Sequence, residues 1–424
     1  MTVLSPLSQS SPSLADWLCY IEQKHPQHQI ELGLARIRQV AEQAGLHQLP
    51  GKKILLAGTN GKGTTARTLE QLLLAQGVSV GVYSSPHLVR FNERLRLNDQ
   101  DVADPIWVEA FAAIERLRGD IELTYFEFTT LAAFFILCQQ QPDFCLIEVG
   151  LGGRLDATNI IEPDLSLLTT IDLDHQEFLG PDRTSIGREK AGIFRPAVPA
   201  VVLETDVPQS VLDVAQALQT PLWRSGEQYS FSSGQLWDWQ SARHQLLQLP
   251  KPAVPQANVA AALMALELLD ALPDAGVVER VLLRLSLPGR MQWLSKTPAI
   301  LLDVAHNPQS AAYLAGQLAE LQGQYHTVHA LVGMLKDKDI HQSLQCFAGK
   351  IDQWHLVSLP GVRGASAEQL AAVFSDDSVL HCYSDLAAGF HSALSTLHQD
   401  DLLVIFGSFV TVSAVLALQM ETEV

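Results

Sequence analysis

The sequence is short of basic residues, with 28 lysines and arginines against 46 aspartates and glutamates in 424 residues, a net charge of −18. That balance argues against broad electrostatic attraction to nucleic acid or to an anionic membrane surface. No apolar run approaches the roughly 20 residues that a membrane helix needs, and no Lys or Arg precedes Lys24. We therefore predict no nucleic-acid partner, no membrane anchor and no signal peptide.

Cysteine is scarce too. The five cysteines are odd in number and form no CxxC pair. We therefore expect neither a disulfide framework nor a zinc site, and we predict a reducing, cytoplasmic location. Hydrophobic residues make up 47% and charged residues 17%, the composition of an ordinary globular protein.

Short β-branched runs alternate with turns and amphipathic helix-length segments, a pattern typical of βα units on a parallel sheet. We predict an α/β protein with a parallel-sheet domain over residues 1–287 that carries a P-loop-like turn. Residues 223–255 break the pattern and predict a small β excursion of that domain. Pro288, Gly289 and Pro298 indicate a linker at 288–298, and residues 299–424 form a smaller Rossmann-like domain.

The strongest local signal is GTNGKGTT at residues 58–65, between a predicted strand and a predicted helix. Glycines let backbone N–H groups face a phosphate, and Lys62 can reach the β and γ phosphates of a nucleotide. The strict Walker pattern fails twice, since Leu56 stands five residues before Gly61 and Gly63 follows the lysine. A glycine-rich turn with a surface lysine is the alternative. Nucleotide binding is favoured over it, with ATP and GTP not distinguished.

Ser85 and His175 each follow a predicted strand, and Glu148 lies at the end of another. Carboxyl ends of parallel strands form the site edge of an open α/β sheet, and oxygen ligands with at most one imidazole suit Mg²⁺. Taken singly, these residues are more simply a turn serine, a surface charge and a loop histidine. Their convergence on one edge favours a metal site.

Six further motifs follow the phosphate loop in order: YSSPHL at 83–88, EVGLGGRLDATN at 148–159, LDH at 173–175, GREKAGI at 187–193, PGR at 288–290 and DVAHNP at 303–308. In order and spacing they resemble the bifunctional dihydrofolate synthase/folylpolyglutamate synthase family, which is similar to the Mur ligases among ATP-dependent amide ligases. The resemblance spans residues 30 to about 410. A Mur ligase itself is disfavoured, because only 57 residues precede Gly58 to house a nucleotide-sugar module.

The resemblance implies a ligase that adds L-glutamate to 7,8-dihydropteroate to form dihydrofolate, and further glutamates to tetrahydrofolate, through an acyl phosphate. ATP is then a cosubstrate, two Mg²⁺ ions are the cofactors, the other partners are small-molecule substrates, and the chain is a monomer. Two alternatives stay open. One is a folylpolyglutamate synthase without the dihydropteroate activity, and the other is a nucleotide-dependent binding module that does not ligate.

The resemblance also implies roles for individual residues. Those implied for ATP are Thr59, Asn60, Gly61, Lys62, Gly63, Thr64, Asn258, Arg290 and Asp303. Those implied for pteroate are Glu31, Leu32, Gly33, Thr124, Tyr125, Phe126, Glu127, Leu155, Asp156 and Ala157. The residues implied as magnesium ligands are Ser85, Glu148 and His175, and those implied to bind glutamate are His306 and Ser408. The residues implied to be catalytic are Lys62, His175 and Lys190.

Lys190 is further implied to be N6-carboxylated by CO₂, which requires a neutral amine at a group whose ordinary pKa is about 10.4. Without the resemblance, Lys190 is simply a helix-surface lysine paired with Glu189. Likewise Glu31 is a helix N-terminal charge and Tyr125 a core aromatic. Val304 stands where the family commonly has Gly, so the resemblance predicts the loop after Asp303 less closely.

Overall fold

The computed structural model describes Pro6 and residues 11–374 and 379–422. The chain divides into two compact units, Met1–Leu285 and Ser286–Val424. No helix in the described ranges is both long and apolar enough to cross a membrane. All five cysteines are free thiols.

The first unit is built on an eight-stranded sheet in the order β4-β3-β2-β5-β1-β6-β7-β8. The six strands from β2 to β8 run parallel, and β3 and β4 add an antiparallel edge. The strands are β1 Lys52–Ala57, β2 Val80–Tyr83, β3 Leu95–Leu97, β4 Gln100–Asp101, β5 Phe144–Glu148, β6 Leu165–Leu168, β7 Ala200–Val202 and β8 Leu222–Arg224.

Helices cover both faces of this sheet. They are α1 Leu14–Lys24, α2 Ala35–Ala44, α3 Lys62–Leu74, α4 Asp104–Arg118, α5 Tyr125–Gln140, α6 Gln176–Leu179, α7 Arg183–Ala191, α8 Gln209–Leu218, α9 Gln256–Leu268 and α10 Ala275–Leu282, with 3₁₀ turns at Phe91–Arg94 and Ala157–Ile160. Successive strand residues point to opposite faces, so Ile54 and Leu56 join one core and Leu55 and Ala57 the other. A sheet buried on both sides explains why its strands read as continuous apolar runs.

The predicted β excursion is an antiparallel three-stranded sheet of β9 Tyr229–Phe231, β10 Leu236–Ser241 and β11 Gln245–Pro250. Its Trp239 is fully buried, and its indole Nε1 donates to the Ala260 carbonyl of α9 at 3.1 Å. Residues 223 and 224, the first two of the predicted excursion, instead belong to β8 at the edge of the main sheet.

The second unit is a six-stranded sheet in the order β12-β13-β17-β14-β15-β16, parallel except for β12. Its strands are β12 Gln292–Lys296, β13 Ala299–Leu302, β14 Val328–Val332, β15 Gln353–Val357, β16 Val379–Tyr383 and β17 Leu402–Phe406. Its helices are α11 Pro308–Glu320, α12 Ile340–Gln345, α13 Ala367–Ala371, α14 Leu386–Thr396 and α15 Phe409–Thr422. Two α/β units with parallel-rich sheets confirm the predicted fold class.

The segment predicted to be a linker contains a strand. Most of the predicted linker, 288–298, is structured, because β12 pairs antiparallel with β13 from Gln292 opposite Leu302 to Lys296 opposite Ala299. Pro298 marks the turn of a hairpin. The prolines and glycine of this segment do mark turns, and these turns lie on either side of an edge strand of the second sheet.

Candidate active site

The glycine-rich loop joins β1 to α3. Gly61, the residue before α3, has a left-handed φ of +85°, and a Cβ there would collide with the side-chain amide of Asn258. Gly58 is packed as closely against the Thr169 hydroxyl. Glycine is therefore required at both positions, and the helix starts directly at Lys62.

The segment after β6 holds this loop from the side. The Thr59 amide donates to the Thr170 carbonyl at 2.7 Å, and the Thr59 hydroxyl donates to the Asp172 carbonyl at 3.1 Å. The Asn60 amide donates to the Thr170 hydroxyl at 3.0 Å, and the Thr169 hydroxyl donates to the Asn60 carbonyl at 2.6 Å. Thr169 and Thr170 were not among the sequence-predicted residues, since two threonines after a strand carry no distinctive signal.

Two predicted nucleotide residues also contact the loop. The Lys62 ammonium donates to the carbonyls of Gly58 at 3.0 Å and Thr59 at 3.4 Å, so its charge lies over the loop. The Asn258 amide donates to the Gly61 carbonyl at 3.1 Å and to the Thr65 hydroxyl at 2.9 Å. Gly63 and Thr64 lie in the first turn of α3, where backbone N–H groups and the helix dipole favour an anion.

Lys190, on α7, is 4% exposed. Burial, the larger cause, and the positive charge of Lys62 together lower the pKa of its amine to about 7, against the opposing effect of Asp174 and Asp156. Both lysines and both aspartates thus share one electrostatic neighbourhood. Asp174 lay in a recognised motif but outside the predicted site. Its role could be suspected only from its place beside His175.

The three predicted metal ligands follow strands at one edge of the sheet. Ser85 comes two residues after β2, Glu148 ends β5, and His175 lies in the loop after β6. Glu148 is 6% exposed, and His175, in a left-handed conformation with φ +51°, begins α6 beside Asp174, with Nε2 3.9 Å from its Oδ1. Among the described residues there is no cluster of three or more His, Cys, Asp or Glu arranged to hold a metal. A hydroxyl, a carboxylate and an imidazole on this edge nevertheless fit a hard cation shared with a nucleotide.

The three segments predicted to hold pteroate are joined in the structure. Arg36 donates from Nη1 to Glu31 at 2.8 Å and from Nε to Glu127 at 3.3 Å, and the Gly33 amide donates to the Leu155 carbonyl at 3.3 Å. Arg36 was missed, because nothing in its local sequence distinguishes it from any charged residue at a helix start. It links two carboxylates 96 residues apart in the sequence.

Several of these residues also shape the local backbone. Thr124 caps α5, and its amide donates to Glu127 Oε2 at 2.8 Å in a capping box. Asp156 accepts from the Leu151 amide at 2.8 Å and caps the short turn that contains Ala157. Phe126 packs its ring on Gly150, where a Cβ would be 2.6 Å away. Tyr125 is buried and Leu32 half-buried.

The second unit gathers the other predicted residues at the ends of β13 and β17. Asp303 is 6% exposed and accepts from the Met291 amide at 2.9 Å and the Ala305 amide at 2.8 Å. Burial raises the pKa of this carboxyl, and Arg290 and the two amides oppose that effect. Val304, in place of the family's glycine, is buried, and its amide donates to the Gly289 carbonyl at 2.9 Å.

The ring of Phe409 contacts two other residues that the sequence predicted for the site. Arg290 stacks over its ring with Cζ 5.0 Å from the centroid, and the His306 ring is 6.1 Å away. His306 Nδ1 lies 2.8 Å from the Val304 carbonyl, so Nδ1 carries the hydrogen. Ser408 accepts from the Thr411 amide at 3.0 Å at the start of α15. Arg290, Asp303, His306 and Ser408 therefore form one local group within this unit.

Comparisons with known proteins assign both parts of the chain to known domain families. Residues 56–266 match the Mur ligase middle domain, and residues 289–409 match the Mur ligase glutamate ligase domain. The dihydrofolate synthase/folylpolyglutamate synthase of Escherichia coli is 43% identical over 98% of this chain and 97% of its own length. The Haemophilus influenzae protein of that name is 40% identical over 96% and 97%.

This chain belongs to the dihydrofolate synthase/folylpolyglutamate synthase family. A solved structure of the E. coli family member in complex with DHPP and ADP superposes with a TM-score of 0.94 at 42% identity, covering 98% of this chain and all of that one. A bifunctional family member solved with Mn, AMPPNP and L-glutamate bound gives a TM-score of 0.91 at 47% identity, covering 97% and 99%. The family's use of a nucleotide and a divalent metal follows from these structures.

Proposed function

We propose that this chain is an ATP-dependent ligase that joins L-glutamate to 7,8-dihydropteroate, giving dihydrofolate, and then adds glutamates to tetrahydrofolate through γ-glutamyl amide bonds. The observation that carries the proposal is that the buried amine of Lys190 is within electrostatic range both of Lys62 in the phosphate loop and of Asp156. Asp156 belongs to one of the three segments predicted to hold pteroate, here called the acceptor segments, which are joined to one another through Arg36 and Leu155. Family membership supports the same reaction.

Amide formation from a carboxylate needs an activated acyl group. In the proposed reaction a carboxylate oxygen of the acceptor attacks the γ-phosphorus of ATP, and the bond to the ADP oxygen breaks. The amine of glutamate then attacks the acyl carbon, phosphate leaves, and the amine loses a proton. Lys62 and the amides of residues 58–65 stabilise the phosphate charge that opposes the first attack.

A bound divalent cation supplies further neutralisation of phosphate charge. We assign its protein ligands to Ser85, Glu148 and His175, and we propose Mg²⁺, with two ions in the complete site. The hard oxygen donors and single imidazole of this set suit that ion.

Lys190 is proposed to be carboxylated. Its neutral amine would attack CO₂, forming a carbamate and releasing one proton, so the modification requires an unprotonated nitrogen. A pKa of about 7, set by burial and Lys62, leaves roughly half of the amine neutral at pH 7, whereas an ordinary lysine is almost fully charged there. The carbamate would place a negative charge beside Lys62.

The remaining assignments are predictions of the same proposal. Thr59, Asn60, Asn258, Arg290 and Asp303 contact ATP, and His306 and Ser408 bind the incoming glutamate. The domain division at 288–298, a monomeric state and a cytoplasmic location are kept as predictions from the sequence.

The deciding experiment measures ADP release by the purified chain with ATP, Mg²⁺ and L-glutamate, supplied with dihydropteroate, with tetrahydrofolate or without acceptor. We expect turnover with both acceptors and little without one. Turnover with tetrahydrofolate alone would leave a folylpolyglutamate synthase and would demote Glu31 and the Tyr125 segment to scaffold. Silence with both, from folded protein that binds ATP, would favour the non-ligating binding module.

A further inference from the structure

Arg94 is a buried arginine with no acidic partner among the residues that the structure describes. It is 1% exposed, and its Nε donates to His87 Nδ1 at 2.9 Å. Within the described ranges, neither terminal nitrogen, Nη1 or Nη2, has a hydrogen-bond acceptor, and no carboxylate forms an ion pair with the guanidinium. A buried charge without a counter-ion is costly, so this arrangement calls for a ligand.

Two aromatic rings flank this guanidinium. Its Cζ lies 5.5 Å from the ring centroid of Phe91 and 5.7 Å from that of Tyr125. Such cation–π contacts stabilise the charge through the ring faces. They do not use the N–H groups, which point outward in the guanidinium plane and remain available to an acceptor.

Arg94 lies at the site edge of the sheet. Its carbonyl accepts from the Ser84 amide at 2.9 Å, directly after β2 ends. Burial raises the pKa of the Tyr83 hydroxyl, the charge of Arg94 opposes that rise, and Asp156 adds to it. Arg94 and Asp156 are therefore both within electrostatic range of Tyr83, and Asp156 acts in the same way on Lys190.

We infer that Arg94 binds the carboxylate of the acceptor substrate through Nη1 and Nη2. The planar fork of a guanidinium matches a carboxylate in a bidentate pair. The phosphates of ATP are less suited to this position, since the loop that would hold them follows β1, two strands away in the order β2-β5-β1. Tyr125, which covers the guanidinium, belongs to an acceptor segment, so the inference rests on the proposed function.

The test compares the affinities of pteroate and of pteroyl amide, in which a carboxamide replaces the carboxylate, without ATP. For the unaltered chain we expect pteroate to bind roughly 10- to 100-fold more tightly than the amide, the range of a hydrogen bond to a charged group. In Arg94→Gln the ratio should fall to within about threefold of one, because the guanidinium that pairs with the carboxylate is gone. Arg94→Lys should give an intermediate ratio, since lysine keeps the charge and loses the fork.

The ratio separates binding from scaffolding, because a purely structural loss would weaken acid and amide alike. Arg96→Lys is the matched control. Arg96 is two residues further on and already pairs with the buried carboxylate of Glu70 at 2.9 Å, so the ratio should stay unchanged. ATP affinity reports whether each variant is folded, and if Arg94→Gln does not fold, Arg94→Lys decides.

An unaltered ratio in a folded Arg94 variant would overturn the inference while leaving the proposed function intact. So would equal affinities for acid and amide in the unaltered chain. Failure of the unaltered chain to bind pteroate or to turn over any acceptor would reject the proposed function, and the role of Arg94 with it.

Discussion

In the first unit, two candidate residues of like charge, Lys62 and Lys190, lie in one electrostatic neighbourhood. In the second unit, the candidate side chains instead form hydrogen bonds that fix the backbone of the surrounding loops. Burial and the charge of Lys62 both lower the pKa of Lys190, with Asp156 and Asp174 acting in the opposite sense. In the second unit, Asp303 receives two backbone amides and Ser408 caps the helix that follows it.

This difference separates two ways of preparing a site. Buried positive charges that repel one another are stabilised when a ligand of opposite charge binds. In the first unit, therefore, electrostatic interactions decide which ligand is preferred. Side chains that satisfy backbone donors create a fixed loop before any ligand binds. Substitutions in the first unit should therefore affect the chemistry more than the fold, and those in the second should affect both.

The largest effect is expected from Lys62→Met. Losing the positive charge over the phosphate loop should lower kcat for ADP release roughly 10³-fold, the upper range for removing one preorganised charge-stabilising donor. Because the Lys62 charge also depresses the pKa of Lys190, thermal stability should change little or rise. Lys53→Met is the control, because Lys53 lies away from the loop, with its Nζ 2.7 Å from Asp164 Oδ2. Equal losses in the two variants would contradict the electrostatic account.

Lys190→Met should lower kcat by about 10²-fold. In the unaltered chain, removing CO₂ from the buffer should slow turnover and bicarbonate should restore it. Since the pKa of Lys190 is about 7, the neutral fraction rises from about a tenth at pH 6 to about nine-tenths at pH 8. The CO₂-dependent fraction of activity should rise over that window. Activity of the unaltered chain that is indifferent to CO₂ would remove carboxylation from the proposal.

Buried histidines of the second unit test whether its stability also depends on the charge of a side chain. His355 Nε2 lies 3.2 Å from His329 Nδ1, and its own Nδ1 lies 3.1 Å from the Tyr383 hydroxyl. The pKa of His355 is lowered to about 4, chiefly by burial and also by the nearby His329 and His381. The unfolded imidazole titrates near 6.5, so the unfolded state takes up a proton first as pH falls.

Stability of the second unit should therefore be fully present above about pH 6.5 and fall between pH 6.5 and 4, by about 2 kcal/mol at pH 5. Urea-dependent hydrogen exchange of peptides covering β14 and β15, corrected for intrinsic exchange rates, measures this loss. His355→Phe should flatten the pH dependence, whereas His381→Phe, at the more exposed neighbouring position, should retain most of it. A profile that His355→Phe leaves unchanged would assign the effect to other groups.

The smallest effect is expected from Ser408→Ala, which removes the cap of α15 and should cost about 1 kcal/mol of stability. Ser366→Ala removes a comparable cap from α13 and should cost a similar amount. Only Ser408→Ala should also raise the KM for glutamate, about 2- to 10-fold for a lost neutral hydrogen bond. If both variants leave that KM unchanged, Ser408 is a cap and not a glutamate ligand.

Local sequence predicted the elements well and their ends less well. Apolar runs predict strands at 353–357 and 402–406, and the strands Gln353–Val357 and Leu402–Phe406 have these limits. The sequence also predicts a helix near 127–140. Helix α5 begins two residues earlier, at Tyr125, because Thr124 and Glu127 form a capping box that makes Glu127 the third helical residue. A helix predicted over 64–76 likewise begins earlier, since α3 starts at Lys62, directly after the left-handed Gly61.

The antiparallel edge strands could not be predicted from periodicity. Strand β12 lies among linker-like residues and forms only because β13 supplies a partner. The short hairpin of β3 and β4 similarly depends on pairing with Gly81–Tyr83 of β2. Short strands at a sheet edge that lack a continuous apolar run have little intrinsic preference, so the partner strand decides whether each one forms.

The sequence by itself determined the α/β class, the phosphate loop and the order of the motifs, because these depend on residues close together in the chain. Only the tertiary structure showed that Arg36 joins Glu31 to Glu127 and that Lys190 shares its surroundings with Lys62. It also left Arg94 buried without an acidic partner among the residues that the structure describes. These properties arise from burial and from contacts between distant residues, which set the energy of a charge and which no local pattern encodes.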